Sequence, residues 1–364
     1  MKKLFLGALT FFLATAILVA QEDPEKALAK AARALGSYNL DPAANGDKMK
    51  EAIDNIEIAA AADATKGKLK TWQTRGEIYN ALADQDINRM MLDKNYVPAR
   101  PDAPLLAGES FVKALELAVK KFEIKDAVKG MQEAGTKLNI IGNYQIQQQD
   151  YVGAYKSLDM VLVLNEKVKA NGEAPIVPDK DVVNHKYVVA YVAQASKNNA
   201  RAKALFAELV KVDTIDGGVF AQYYNMLDAE GDPNAFAVLE QGLKKYPDNT
   251  EILFAYINYL IKNKEFEKLE VKLKEAIEKE PNNPSIYAAL GNVYLEMHNA
   301  EFAKNHDSQL AADYFNKALS YFEQAVKLDE KHFDAIYSIG SLYFNKAVEY
   351  IKVANLLGMT KEDQ

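Results

Sequence analysis

The residue types that carry chemistry are few in this chain and poorly spaced for it. Its four histidines are His185, His298, His306 and His332, and none belongs to an H-E-x-x-H pair that could seat a metal on one helix face. His298 and His306 stand eight positions apart, a poor spacing for a single metal, so the histidines are expected on solvated helix surfaces. Asp84, Asp86 and Asn88 imitate the start of a calcium loop. Arg89 then stands where that loop requires glycine, and Asn95 where it requires a bidentate glutamate. Cysteine is absent, which removes disulfides, thiolate metal sites, a cysteine nucleophile and a cysteine-anchored lipid. There is no G-x-x-x-x-G-K-[ST], no G-x-S-x-G and no glycine-rich turn opening on a helix. Acidic pairs such as Glu278 and Glu280 read as solvated helix faces. The expectation is a chain that is not an enzyme, with no cofactor and no metal site.

Such a chain must act through its surface, so the elements that build the surface matter next. Of 364 residues, 49% are hydrophobic and 26% charged, with only 11 prolines. That mixture excludes a disordered or collagenous chain. The net charge of −7 argues against nucleic acid as the main partner. Lys2 and Lys3 precede an apolar run over residues 4–19, followed by Ala20, Gln21, Glu22 and Asp23. This is the layout of a secretory signal peptide over residues 1–20, with an uncleaved anchor as the alternative. Beyond Gln21 no segment is apolar for long enough to span a bilayer.

The rest of the sequence is periodic. Leu253, Tyr256, Ile257 and Leu260 fall on one helical face. After Asn263 and Lys264 a second face follows at Leu269, Leu273, Ala276 and Ile277, closed by Pro281. Pro284 opens the next copy with Tyr287, Leu290, Gly291 and Tyr294, a period of 34 residues. Weaker copies fit the same frame. One holds Trp72, Gly76 and Tyr79. Another holds Leu138, Ile141 and Gly142 with Ala154, Leu158 and Val161. Tyr187 and Ala190 lead into Ala202, Phe206 and Leu209; Phe220, Tyr223, Tyr224 and Leu227 form a further copy; Ile336, Ile339, Gly340 and Tyr343 open the last. The small residue recurs because glycine lets two helices approach closely while a bulky neighbour fills the gap beside it.

This helix–turn–helix unit resembles the tetratricopeptide repeat over residues 46–355, in about seven pairs. The resemblance implies an all-α fold, a right-handed α-solenoid of stacked pairs. It also implies a role in binding protein or peptide partners. In such repeats the ninth position of the first helix looks into the concave groove. Here that position is asparagine four times, at Asn143, Asn225, Asn258 and Asn292. A side-chain amide can both donate to and accept from a partner's backbone, so these four are the candidate partner-binding residues; the same amide can instead support the fold. The fifth positions are Asn139, Ala221, Phe254 and Ala288, so the basic clamp that would hold a terminal carboxylate is missing. Tyr223, Tyr256, Tyr259 and Tyr294 read as core by their spacing.

Three departures from the repeat stand out. Residues 84–106, from Asp84 to Leu106, form an insertion with Pro98, Pro101 and Pro104, of which 96–104 at least should be extended loop. Residues 171–181 carry Pro175 and Pro178. The excess between Tyr294 and Ala318 has neither proline nor glycine, so both helices of that pair are expected to be lengthened. The last helix, residues 333–357, then extends about 37 Å, and Ala347, Tyr350, Ile351, Ala354 and Leu357 continue its apolar face. The domain expectation is a signal over 1–20, degenerate repeats over 21–181 and a regular array with lengthened final helices over 182–364. The functional expectation is a non-enzymatic scaffold of the Gram-negative periplasm or cell envelope that binds peptide segments on its concave face. Self-association through the elongated C-terminal helices is the second reading.

Overall fold

In the computed structural model, residues 23–247, 249–306 and 308–356 are described. The signal reading over 1–20 and Leu357 lie outside them. All described secondary structure is α-helical, and no described helix is long and apolar enough to cross a membrane. The chain divides into two units, Met1–Leu205 and Phe206–Gln364.

The first unit contains α1 (Pro24–Leu40), α2 (Gly46–Ala61), α3 (Leu69–Leu92), α4 (Ala103–Leu117), α5 (Lys121–Gln147), α6 (Tyr151–Ala170) and α7 (Val182–Ala195). α8 (Asn199–Leu209) runs across the division between the units. The second unit contains α9 (Gly218–Ala229), α10 (Ala235–Lys245), α11 (Thr250–Lys262), α12 (Phe266–Lys279), α13 (Pro284–Lys304), α14 (Gln309–Leu328) and α15 (Phe333–Leu356). Each unit is a succession of helix pairs in which neighbours along the chain are neighbours in space. The lengthening expected for the pair after Tyr294 is present, since α13 and α14 have 21 and 20 residues. α1 lies before residue 46, where the resemblance starts, though within the expected degenerate stretch 21–181, and is a full member of the core, through Leu28, Ala31, Leu35 and Tyr38.

The repeat is visible in the backbone as a recurring turn. Gln149, Lys197, Gly231 and Lys264 each stand two residues past the end of a first helix with positive φ, between 57° and 70°. In each case the next amide bonds back to the last turn: Asp150 to Gln145, Asn198 to Ala193, Asp232 to Leu227 and Glu265 to Leu260, at 2.8–3.0 Å. This left-handed stop satisfies helix-end carbonyls and redirects the chain into the second helix. Side chains cap several starts: Asp150, Asn249, Asn283 and Ser308 each accept a bond from an amide of the following turn.

Between the helices of a pair, a glycine on the first receives a bulky side chain from the second. A Cβ built on Gly76 would lie 2.7 Å from Phe111, on Gly142 2.6 Å from Leu158, and on Gly291 2.6 Å from Phe322. Phe111 and Phe322 are almost wholly buried in these sockets. Polar ties add to the packing. Glu57 of α2 accepts from Arg75 Nε and the Tyr79 hydroxyl of α3, both at 2.8 Å, while Arg75 Nη1 donates to Ser110 Oγ of α4. The Tyr294 hydroxyl of α13 donates to Glu270 of α12 at 2.7 Å. Burial and then Glu270 push the tyrosine's pKa up. Burial opposes the charge on Glu270, but bonds from Lys274 and Tyr294 outweigh it and hold the carboxyl below its ordinary range.

The insertions are corrected in detail. α3 continues to Leu92 and α4 starts at Ala103, so residues 84–92 and 103–106 of the expected loop are helical. Asp84, Asp86 and Asn88 lie on that helix, and buried Asp86 holds the connecting loop by accepting from the Tyr96 hydroxyl (2.6 Å) and the Arg100 amide (2.8 Å). The segment 171–181 packs into the first unit. Ile176 fills the space beside Gly135, and the Val177 amide donates to Asn165 Oδ1 at 2.9 Å. The histidines also depart from expectation. Only His306 is on a solvated surface; His332 caps α15 by accepting from the Ala335 amide. His298 is buried on α13, bonded through Nδ1 to the Ala311 carbonyl at 2.8 Å, with Glu349 of α15 3.4 Å from Nε2. His185 is half-buried beside the Leu158 carbonyl, 3.0 Å away.

Two expectations follow. Gly291→Ala lowers stability by about 1–3 kcal/mol, although alanine is the better helix former, because the added carbon meets Phe322; chemical denaturation of the full chain measures it. Burial lowers the pKa of His185 in the folded chain, against the bond to Leu158, so the unfolded chain binds its proton more readily. That contribution is complete above the ordinary histidine value of about 6.5 and is lost as pH falls through the depressed folded value. His185→Gln therefore flattens the decline in urea midpoint between about pH 7 and 5. An unchanged slope contradicts it.

Candidate protein-binding face

The asparagine row is positioned by the buried residue that precedes each member. Gly142, Tyr224, Ile257 and Gly291 point into the core, and a step of one residue turns the next side chain about 100° outward. All four asparagines are exposed: Asn143 on α5, Asn225 on α9, Asn258 on α11 and Asn292 on α13.

The structure separates them into two groups. Asn143 belongs to the first unit, and its amide nitrogen donates to the Asn139 carbonyl one turn back, at 2.8 Å. One of its two N–H donors is thereby engaged within its own helix. Asn225, Asn258 and Asn292 belong to the second unit, and their side chains make no hydrogen bond among the described residues. They lie on the first helices of three consecutive pairs. α9 packs directly on α11, and Lys262 Nζ at the end of α11 bonds to Asp228 Oδ1 of α9 at 2.7 Å, which pins these two helices beside Asn225 and Asn258. α13 packs on α12.

The surroundings limit what this face can hold. Ala221 and Ala288 at the fifth positions are buried and Phe254 is half-buried, so the floor beneath the second-unit amides is apolar and uncharged. Ile261, three residues after Asn258, is 47% exposed and adds an apolar contact one turn further along; its spacing from Asn258 was the available signal. Tyr256 and Tyr259 are half-buried rather than fully core. Tyr259 stacks on Phe236 of α10 at 4.1 Å, and Tyr256 stacks on Tyr259 at 6.2 Å. Tyr224 is buried beside Asn225, and burial followed by Asp228 pushes its hydroxyl up to about 12, so it stays neutral. No cluster of metal-ligating side chains occurs among the described residues. The face therefore offers free amides with donors and acceptors over an uncharged floor, suited to the polar backbone of an extended chain.

Residues 272–311 match the family model described as tetratricopeptide repeat. No curated protein matches the sequence. Among solved structures, the chain is similar to YrrB, described as a TPR protein with an unusual peptide-binding site, at 15% identity over 64% of this chain and 99% of that one, with a TM-score of 0.40. It is similar to the TPR domain of P58(IPK) at 14% identity, covering 88% and 97% of the two chains, with a TM-score of 0.28. Pseudomonas aeruginosa pilF is similar at 14% identity over 71% and 94%, with a TM-score of 0.29.

If the amides of the second unit have no structural duty, replacing them costs little. Asn225→Ala, Asn258→Ala and Asn292→Ala are each expected to change unfolding free energy by no more than about 0.5 kcal/mol, read from denaturant midpoints. A loss of about 2 kcal/mol at any one of them would assign it to the fold.

Proposed function

We infer that this chain, whose residues 272–311 match the tetratricopeptide repeat, is a non-enzymatic protein-interaction scaffold that holds extended peptide segments along its first-helix face. The observation that carries the reading is the set of three exposed, uncommitted amides, Asn225, Asn258 and Asn292, on the first helices of three consecutive pairs. Each amide can exchange a donor and an acceptor with a peptide group, so recognition depends on backbone more than on side chains. The uncharged floor disfavours capture of a terminal carboxylate, which would require a lysine or arginine at the fifth positions. A folded helical scaffold need not be ordered on binding, which limits the entropic cost of association. Asn143 contributes an acceptor oxygen and one remaining N–H in the first unit, its other N–H being already engaged.

The proposed setting is the periplasm or envelope of a Gram-negative bacterium. It is supported by the leader-like residues 1–20, with Lys2 and Lys3 before the apolar run, and by the absence of cysteine. Envelope proteins cross-linked to the full chain and digested supply the peptides for the test. The Asn225→Ala, Asn258→Ala double variant is expected to bind them about tenfold more weakly at unchanged helicity, from the loss of two to four hydrogen bonds. Equal affinity would sink the assignment of this face.

A further inference from the structure

The end of the second unit carries a surface of different character. On α15, Phe333, Tyr337, Gly340, Phe344, Ala347 and Ile351 are all exposed. Their spacing of 4, 3, 4, 3 and 4 is the seam pattern of a helix that pairs with another helix. Ile336, Tyr343 and Tyr350, also exposed, run beside it at intervals of seven. None of these nine residues is charged. The opposite side of α15 faces its own core through Ala335 and Leu342, exposed by no more than 1%. Phe333, Tyr337, Phe344 and Tyr350 are each exposed by 66–73%.

Gly340 shows what the seam lacks. It occupies the same small position of a first helix as Gly76, Gly142 and Gly291, each of which is filled by a bulky side chain from the helix that follows. A Cβ on Gly340 would meet nothing within 4 Å. The socket is formed and its knob is missing.

We propose that the knob is Phe344 of a second copy, and that the chain forms a two-fold dimer through antiparallel pairing of α15. A symmetric interface must be complementary to itself, residue i meeting j and j meeting i. This stripe meets that condition in one antiparallel register. Phe344 of each copy falls opposite Gly340 of the other, Tyr337 opposite Ala347, and Phe333 opposite Ile351. Every large ring meets a small or aliphatic residue. A parallel in-register pair would instead set Phe344 against Phe344 and Gly340 against Gly340. The area is also of the right size. The seven large exposed side chains offer on the order of 100 Å² each, or roughly 700 Å² per copy, near the ~800 Å² per partner of a standard stable interface. Its rings are the residue types that dominate interface energetics.

Light scattering of the full chain across concentration tests the proposal, with a doubled mass expected. Phe344→Glu and Gly340→Leu should each shift the monomer–dimer midpoint at least about thirtyfold upward. A Cβ at Gly340 meets nothing in its own chain, the position is exposed and leucine improves helix propensity, so Gly340→Leu should keep or raise the melting temperature, which separates loss of the dimer from loss of the fold. The cysteine-free chain permits a test of register. A mixture of Tyr337→Cys and Ala347→Cys chains should cross-link under mild oxidation, whereas Ala347→Cys alone should not. A strict monomer at all concentrations, or a dimer unaffected by both seam variants, overturns the proposal. Cross-linking of Ala347→Cys with itself overturns the antiparallel register.

Discussion

Close approach of helices at a few glycine positions is the constraint on which the rest of the structure depends. Gly76, Gly142 and Gly291 each give up a side chain so that Phe111, Leu158 and Phe322 can be buried against a helix backbone. A single hairpin of two helices cannot enclose these large side chains; the next pair must close over them, and stability accumulates by stacking. Phe111 shows this directly, since it lies against Gly76 of α3 and also against Gly130 of α5. A glycine in mid-helix costs about 1 kcal/mol relative to alanine, which burial of an aromatic ring more than offsets. Left-handed turns at Gln149, Lys197, Gly231 and Lys264 separately redirect the chain from the first helix of a pair into the second.

Much of this was legible from residue spacing because the apolar faces of the strong copies are local. Leu253, Tyr256, Ile257 and Leu260, followed by Leu269, Leu273 and Ala276, define two faces without reference to any partner. The lengthening of α13 and α14 could be read from an interval with no proline or glycine. What escaped depends on distant contacts. α1 has a good apolar face but is built from alanines and lacks the aromatic–small–aromatic signature, so within the degenerate stretch 21–181 no particular residues marked it as the helix that opens the core. The continuation of α3 through Asp84 and Asp86 looked like loop chemistry. It is helix because Asp86 is consumed by Tyr96 and Arg100 from a segment that folds back on it. The polar character that suggested a breaker is the anchor of the following turn. His298 was misread for a similar reason, since its partners on α14 and α15 come from pairings that spacing alone does not reveal.

For the asparagines, exposure followed from the helical frame, because a residue one step after a buried core position turns outward. Their states of commitment did not follow from it. Asn143 donates to the main-chain carbonyl of Asn139 one turn back; Ala221, Phe254 and Ala288 present the same acceptor, yet Asn225, Asn258 and Asn292 do not bond to it and remain free of any described partner. A three-member row of open amides is energetically quiet in the folded chain, since water satisfies exposed donors and acceptors. Gain comes only when a ligand presents several peptide groups at once and the scaffold has no ordering cost to meet. This favours length of contact over any single strong contact.

The stacking that makes the core also dictates what happens where it stops. The first helices α3, α5 and α13 each have a following helix that fills the small position at Gly76, Gly142 and Gly291, and α15 repeats the pattern at Gly340 with nothing described after it to do so. Charges could occupy this face, as they do on α12 and α14 with Lys268, Lys317 and Glu323. Instead the outer face of α15 keeps rings at Phe333, Tyr337, Phe344 and Tyr350 and small residues at Gly340 and Ala347. Burying rings of this size is worth about 1.5–3 kcal/mol each, and leaving several in water forgoes that gain. The alternation of large and small, symmetric about Leu342, is the arrangement that lets a second copy of the same helix recover it. The rule that assembles successive pairs within the chain then also assembles one chain on another.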